Sequence, residues 1–404
     1  MTDSIKTSLS LAKLAELVRM DIPANICTVS TPWGENTGRY TKPSRQKSPM
    51  ADTDTKWVVR CELGTGNLAG YSVPSQIDAD LNIPNAITGQ NVEHGTSVFA
   101  AGTAALELQR RWLADCGLPR EQLDLRTTSD IKLNGTTITY LMPFNTKDAA
   151  IQLVKAIEAT GRVLNKRCTS WESTNETIML PGRDFTMIAY IKTDLSHCKF
   201  KNGAPVKSII EQGSYIVRIE AKLGLPFLRK LGRVELESWR NAYLDGVYET
   251  IFNETVRKSL SLASTRLRHK APREEVFALL TETEATVLRG YLAKPPLDPR
   301  QAKTVTESAS PNQRFYEIRK PILRLAKIDI DIPWKEHVKL RCFELADKLN
   351  YPGDYNPADD RACWCFCKAN WANLLEQLRQ SYEIALAAAV RRNQESDTCA
   401  GVTA

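Results

Sequence analysis

The chain has 404 residues, 42% hydrophobic and 25% charged, with 54 Lys and Arg against 47 Asp and Glu and a net charge of +7. These values exclude a chain disordered throughout and fit a globular protein with a sizeable core in two or three domains. The basic excess is modest: it favours an acidic partner, most commonly nucleic acid, without requiring one.

In chain order, Leu9, Leu11, Leu14, Leu17 and Val18 recur at helical spacing among Lys13, Glu16 and Arg19. This predicts a short amphipathic helix over 7–20, followed by a polar, basic loop from Arg39 to Lys47. The pattern does not read as a secretory signal, and Ile384 to Val390 is too short an apolar run to span a bilayer, so the expectation is a cytoplasmic protein. The ten cysteines then read mostly as free, buried, small side chains.

Residues 56–62 predict a strand and 99–115 a helix. Asp130 to Met142 predicts a hairpin, because Asn134-Gly135 suits a tight type I′ turn. Ile151, Val154 and Ile157 predict a helix from Thr146 to Leu164, with Thr146 as its cap. Residues 184–192 and 215–223 alternate as strands. Residues 232–292 read as mostly helical, 293–313 as a Pro-rich linker, and 314–350 and 359–392 as helical. The order predicts an α+β fold, an antiparallel sheet covered by helices with a helical C-terminal unit. Expected boundaries are 1–50, a catalytic region 51–230, a helical extension 231–292, the linker 293–313 and a C-terminal domain 314–404.

The two alternating strands carry the chemistry. In the first, Phe185, Met187, Ala189 and Ile191 share one face while Thr186, Ile188, Tyr190 and Lys192 share the other. In the second, Val217, Ile219, Ala221 and Leu223 pack, leaving Arg218, Glu220 and Lys222 together. A tyrosine nucleophile needs an exposed hydroxyl and a nearby cation, because a free phenol ionises only near pH ~10. A carboxylate can hold the cation that nucleases use on phosphate oxygens. Taken alone, Arg218 and Glu220 read first as a solvated sheet face, and Tyr190 as a structural aromatic.

Four blocks in order resemble the gene II replication initiators of filamentous phages and related plasmid replication proteins. They are Ile87-Thr88-Gly89-Gln90-Asn91-Val92-Glu93-His94-Gly95, Trp171-Glu172-Ser173-Thr174, Ala189-Tyr190-Ile191-Lys192 and Val217-Arg218-Ile219-Glu220-Ala221. A weaker echo lies at Phe315-Tyr316. The first block is similar to a Gly-His-Asn-Val-x-Gly motif, with Gln90 in place of the usual histidine. Where that family commonly has Asp in an Arg-x-Asp-x-Thr strand, Thr137 stands in Gly135-Thr136-Thr137-Ile138-Thr139-Tyr140.

The resemblance implies a rolling-circle endonuclease sheet and an origin-specific DNA nicking and rejoining enzyme. Tyr190 would attack the phosphodiester and hold a 5′-phosphotyrosine, with Lys192 as phosphate or phenolate partner. Mg²⁺ or Mn²⁺ would sit at Glu220, with Glu172 and His94 as further ligands. Arg218 and Lys222, with Arg266, Arg268 and Lys270 from the basic stretch 257–273, would contact DNA. Implied partners are origin DNA, supercoiled duplex and single-stranded, and the host helicase and polymerase. Thr137 and Gln90 keep open an alternative, a non-cleaving DNA-binding regulator of replication or transcription on the same fold. Cys363, Cys365 and Cys367 lack a second ligand pair at finger-like spacing and read as core rather than a zinc site.

Overall fold

The computed structural model describes residues 2–10, 26–30, 36–41, 44–51, 53–63, 72–89, 91, 96–115, 120–163, 169–170, 177–191, 215–260, 270–293, 311–331, 333–334, 345–352 and 371–400. Among the described residues, eleven strands form one antiparallel sheet: β1 (Thr2–Ser10), β2 (Ile26–Ser30), β3 (Asn36–Thr41), β4 (Ser44–Lys47), β5 (Asp54–Leu63), β6 (Ser72–Leu81), β7 (Ile131–Pro143), β8 (Thr169–Ser170), β9 (Thr177–Pro181), β10 (Phe185–Ile191) and β11 (Ile216–Gly224). The order across it is β2-β3-β5-β6-β1-β7-β11-β10-β9-β8, with β4 beside β5. The helices are α1 (Ile83–Thr88), α2 (Val98–Asp115), α3 (Arg120–Asp124), α4 (Lys147–Val163), α5 (Leu225–Lys230), α6 (Val247–Phe252), α7 (Glu274–Phe277), α8 (Glu282–Leu292), α9 (Pro311–Ala326), α10 (Leu345–Lys348) and α11 (Trp371–Ala400). The fold is therefore α+β with an antiparallel sheet, as the patterning predicts. No helix among the described residues is long and apolar enough to cross a membrane.

Period-two alternation gives the sheet one apolar face. Ile5, Leu9, Ile77, Ile138, Tyr140, Met187, Val217 and Ile219 are buried on it. The α2 helix packs over β1 and β7, and α4 over β9, β10 and β11. Trp57 of β5 stacks on Trp112 of α2 with centroids 5.7 Å apart, and Gly102 lets the Leu236 side chain close onto α2. Thr146 caps α4 as expected, its hydroxyl accepting from the Ala149 amide at 3.2 Å.

Three expectations are corrected. The helix over 7–20 is not formed at its start: Thr2–Ser10 is β1, inserted between β6 and β7. Ile5, Thr7 and Leu9 are buried while Ser4 and Lys6 turn outward, so strand alternation wins over the leucine spacing that begins at Leu9. The expected basic loop from Arg39 to Lys47 contains the end of β3 and all of β4, and the first fifty residues contribute strands to the main sheet. The hairpin at Asn134-Gly135 is instead the interior of one continuous strand, β7. Gly135 serves a close approach there: a Cβ would lie 2.9 Å from the Leu223 carbonyl oxygen. Asn134 is accommodated by an irregularity in register, Lys6 pairing with Gly135 and Thr7 with Leu133.

The C-terminal residues divide between two cores. Val276, Phe277, Leu288, Tyr291, Phe315, Ile322, Ile328 and Ile330 form a second, smaller core that straddles the expected linker. Arg319 and Asp329 are buried in it and bond twice, at 2.6 and 2.7 Å. The last helix belongs elsewhere: Leu378, Tyr382, Ala385 and Leu386 of α11 join the main core, and Arg111 of α2 donates to the Ser381 carbonyl at 2.7 Å.

Candidate active site

The three central strands β7, β11 and β10 bring the sequence motifs together. In register, Tyr190 faces Arg218, Ile188 faces Glu220 and Thr186 faces Lys222. On the other side of β11, Leu141 faces Arg218, Thr139 faces Glu220 and Thr137 faces Lys222. All of these positions share the sheet face opposite the main core, because cross-strand partners point the same way. Met187, Ala189, Val217 and Ile219 anchor the strands from beneath.

The Tyr190 hydroxyl is the hub. It donates diagonally to Glu220 Oε1 at 2.5 Å and accepts from Arg218 Nε at 3.1 Å. Arg218 Cζ stands 5.8 Å from the Tyr190 ring centroid, and Nη1 donates to the Asn91 carbonyl at 2.5 Å. Lys222 Nζ lies 4.0 Å from Glu220 Oε2 with its side chain half exposed. A phenol flanked by a carboxylate that accepts its proton and a guanidinium that favours its oxyanion is equipped to act as a nucleophile.

Burial departs from the expectation of a solvated face. Arg218 is 1% and Glu220 5% exposed, while Tyr190 is half-buried. Arg218, expected to contact DNA, instead spends donors on Tyr190 and on the main chain of the 87–95 block. Its burial makes it an internal clamp rather than a surface phosphate contact.

Among the other expected residues, Lys192, Glu172, His94, Gln90, Arg266, Arg268 and the three clustered cysteines lie outside the described residues. Lys270 is exposed just before α7. In the same basic stretch, Arg257 donates to the Leu349 carbonyl at 2.6 Å and Lys258 pairs with Glu254 at 2.9 Å. Thr137, which stands at the family's Asp position, shares a 2.9 Å hydrogen bond with Ser4. Of the three expected Mg²⁺ ligands, Glu220 falls within the described residues, and its carboxylate there receives the phenol. Mg²⁺ commonly takes one or two carboxylates from a protein and fills its octahedral shell with phosphate oxygens and waters, a place the Glu220 carboxylate would fill at this face.

Two contributors escaped the sequence. Asn91 acts through a main-chain carbonyl, which no side-chain pattern reveals. Thr139 is fully buried opposite Glu220; its place two residues from Thr137 on one strand face was the available signal. A scan against protein-family models, a search of curated proteins and a search of solved structures each found no match.

Proposed function

We propose that this chain is a tyrosine transesterase that nicks and rejoins one DNA strand to start rolling-circle replication of a filamentous phage or plasmid. The observation that carries the reading is the Tyr190 hydroxyl held between Glu220 Oε1 and Arg218 Nε. The motif order from Ile87 to Ala221 adds the substrate class and the rolling-circle endonuclease fold. Glu220 takes the phenol proton as Tyr190 Oη bonds to phosphorus, and Arg218 stabilises the phenolate as it forms. The bond from phosphorus to the 3′ oxygen breaks, the 3′ oxygen takes up a proton, and the 5′ phosphate stays on Tyr190. One phosphoester bond replaces another, so the reverse attack by a 3′ hydroxyl rejoins the strand without ATP. Lys222, at the rim, is placed to meet a backbone phosphate.

A second reading, a DNA-binding regulator that does not cleave, draws on the burial of Arg218 and Glu220, which also suits a structural clamp. One experiment separates the two. The protein is incubated with supercoiled plasmid carrying the replicon's origin, and with its single strand, in the presence of Mg²⁺. The nickase gives an open circle and a detergent-stable adduct that peptide mass spectrometry maps to Tyr190, and Tyr190→Phe gives neither. Binding without an adduct by the wild-type protein favours the regulator.

A further inference from the structure

We infer that Thr139 is a positioning residue for the Glu220 carboxylate, acting through one buried water that the two side chains share. The inference rests on the reading of Glu220 as proton acceptor for Tyr190. Thr139 is 0% exposed, and its hydroxyl has no hydrogen-bond partner among the described residues. Leaving a buried hydroxyl unsatisfied is costly. Folded proteins commonly remove that cost with an ordered water that makes about three hydrogen bonds.

Thr139 is directly opposite Glu220 on the same sheet face, the cross-strand placement in which two side chains are neighbours, and one water can bridge two polar groups that do not meet directly. Thr137, two residues back on that face, is satisfied directly by Ser4 of β1. Among the described residues the pairing of β1 with β7 runs as far as Thr2 opposite Ile138. A carboxylate offers about four lone-pair sites, so Glu220 can accept this water as well as the Tyr190 hydroxyl. The water ties the carboxylate to the rigid centre of β7, which keeps Oε1 aimed at the phenol.

The test compares wild type, Thr139→Val and Thr139→Ser. Valine keeps the shape and removes the hydroxyl, whereas serine keeps the hydroxyl. Crystal structures at a resolution that shows waters are expected to place one water between Thr139 and Glu220 in wild type and none there in Thr139→Val. In single-turnover adduct formation, Thr139→Val should slow the step about tenfold or more, the size of one hydrogen bond to a charged group expressed as a rate. Half-saturation by DNA should not change, and Thr139→Ser should restore the rate. A wild-type map without that water overturns the inference, as does a Thr139→Val protein reacting at the wild-type rate. If Thr139→Val does not fold, a Thr139→Ser protein that lacks the water or reacts slowly overturns it instead. Should the wild-type protein form no adduct at all, the proposed function fails, and the presence or absence of the water decides the inference by itself.

Discussion

Arg218 on β11 and Asn91, 127 positions earlier, are joined by a 2.5 Å bond from the guanidinium to the main-chain carbonyl. That bond ties the segment after α1 to the strand carrying Glu220, and the same guanidinium reaches the Tyr190 hydroxyl. Arg218→Gln removes the donors to the Asn91 carbonyl and the Tyr190 hydroxyl, and leaving such buried groups unsatisfied costs about 1–3 kcal/mol. Chemical denaturation should show a loss of that order, and Arg218→Lys, which cannot reproduce the fork, should recover only part of it.

Glu220→Gln keeps the size of the side chain and removes its capacity to take a proton. DNA binding should remain near wild type while adduct formation falls about 10²–10⁴-fold, the usual reach of a positioned general base. Single-turnover cleavage alongside an equilibrium binding titration reads the two separately. Equal losses in both would move Glu220 out of the chemistry and into binding.

Gly135→Ala puts a methyl group 2.9 Å from the Leu223 carbonyl oxygen, where backbone rather than a flexible side chain must yield. The two strands beneath the Tyr190 site would have to part, at about 1–3 kcal/mol. Thermal unfolding measures this, and an unchanged midpoint would show that β7 and β11 lie farther apart than described.

Asp329→Ala strands the buried Arg319 guanidinium in the second core, at about 3–5 kcal/mol. Hydrogen exchange should quicken across α7, α8 and α9 while the amides of β7 and β11 keep their protection. Uniform loss of protection would mean the two cores unfold as one.

Alkaline pH should weaken the fold. Burial pushes the phenols of Tyr248 and Tyr291 well above the ordinary range, with the Val98 amide partly offsetting this at Tyr248 and Asp329 adding to it at Tyr291. In the unfolded chain both ionise near pH ~10. Their contribution is thus complete below that pH and is lost as the pH climbs toward the raised folded values. Tyrosinate absorbance from these two residues should appear together with the loss of circular dichroism. Ionisation of Tyr248 within an intact fold would contradict its burial.

The strands carrying Tyr190 and Glu220 were legible because alternation assigns faces directly: Met187 and Ala189, Val217 and Ile219 pack where the pattern puts them. Alternation says nothing about what covers the other face, so the burial of Arg218 under a distant main-chain carbonyl could not be read. Asn134-Gly135 misled because the same dipeptide serves a tight turn or a close approach between strands, and only the position of Leu223 decides between them. Leu9 misled because it fits a helical stripe with Leu11 and Leu14 and a strand face with Ile5 and Thr7. The second core was hidden because its halves lie on either side of a Pro-rich stretch.

The place of β1 has a consequence for how the molecule assembles. Leu9 pairs with Ile77 on one side and Ile131 on the other, so this early strand closes two long loops before its contacts repay the lost chain entropy. Strands β5 with β6, and β9 with β10 and β11, can meet as near neighbours in sequence, but the two half-sheets become one only when Thr2–Ser10 slots between them. Until then β6 and β7 present bare edges able to pair with any other copy. Refolding yield should therefore fall as protein concentration rises, with the insertion of nine residues setting the pace.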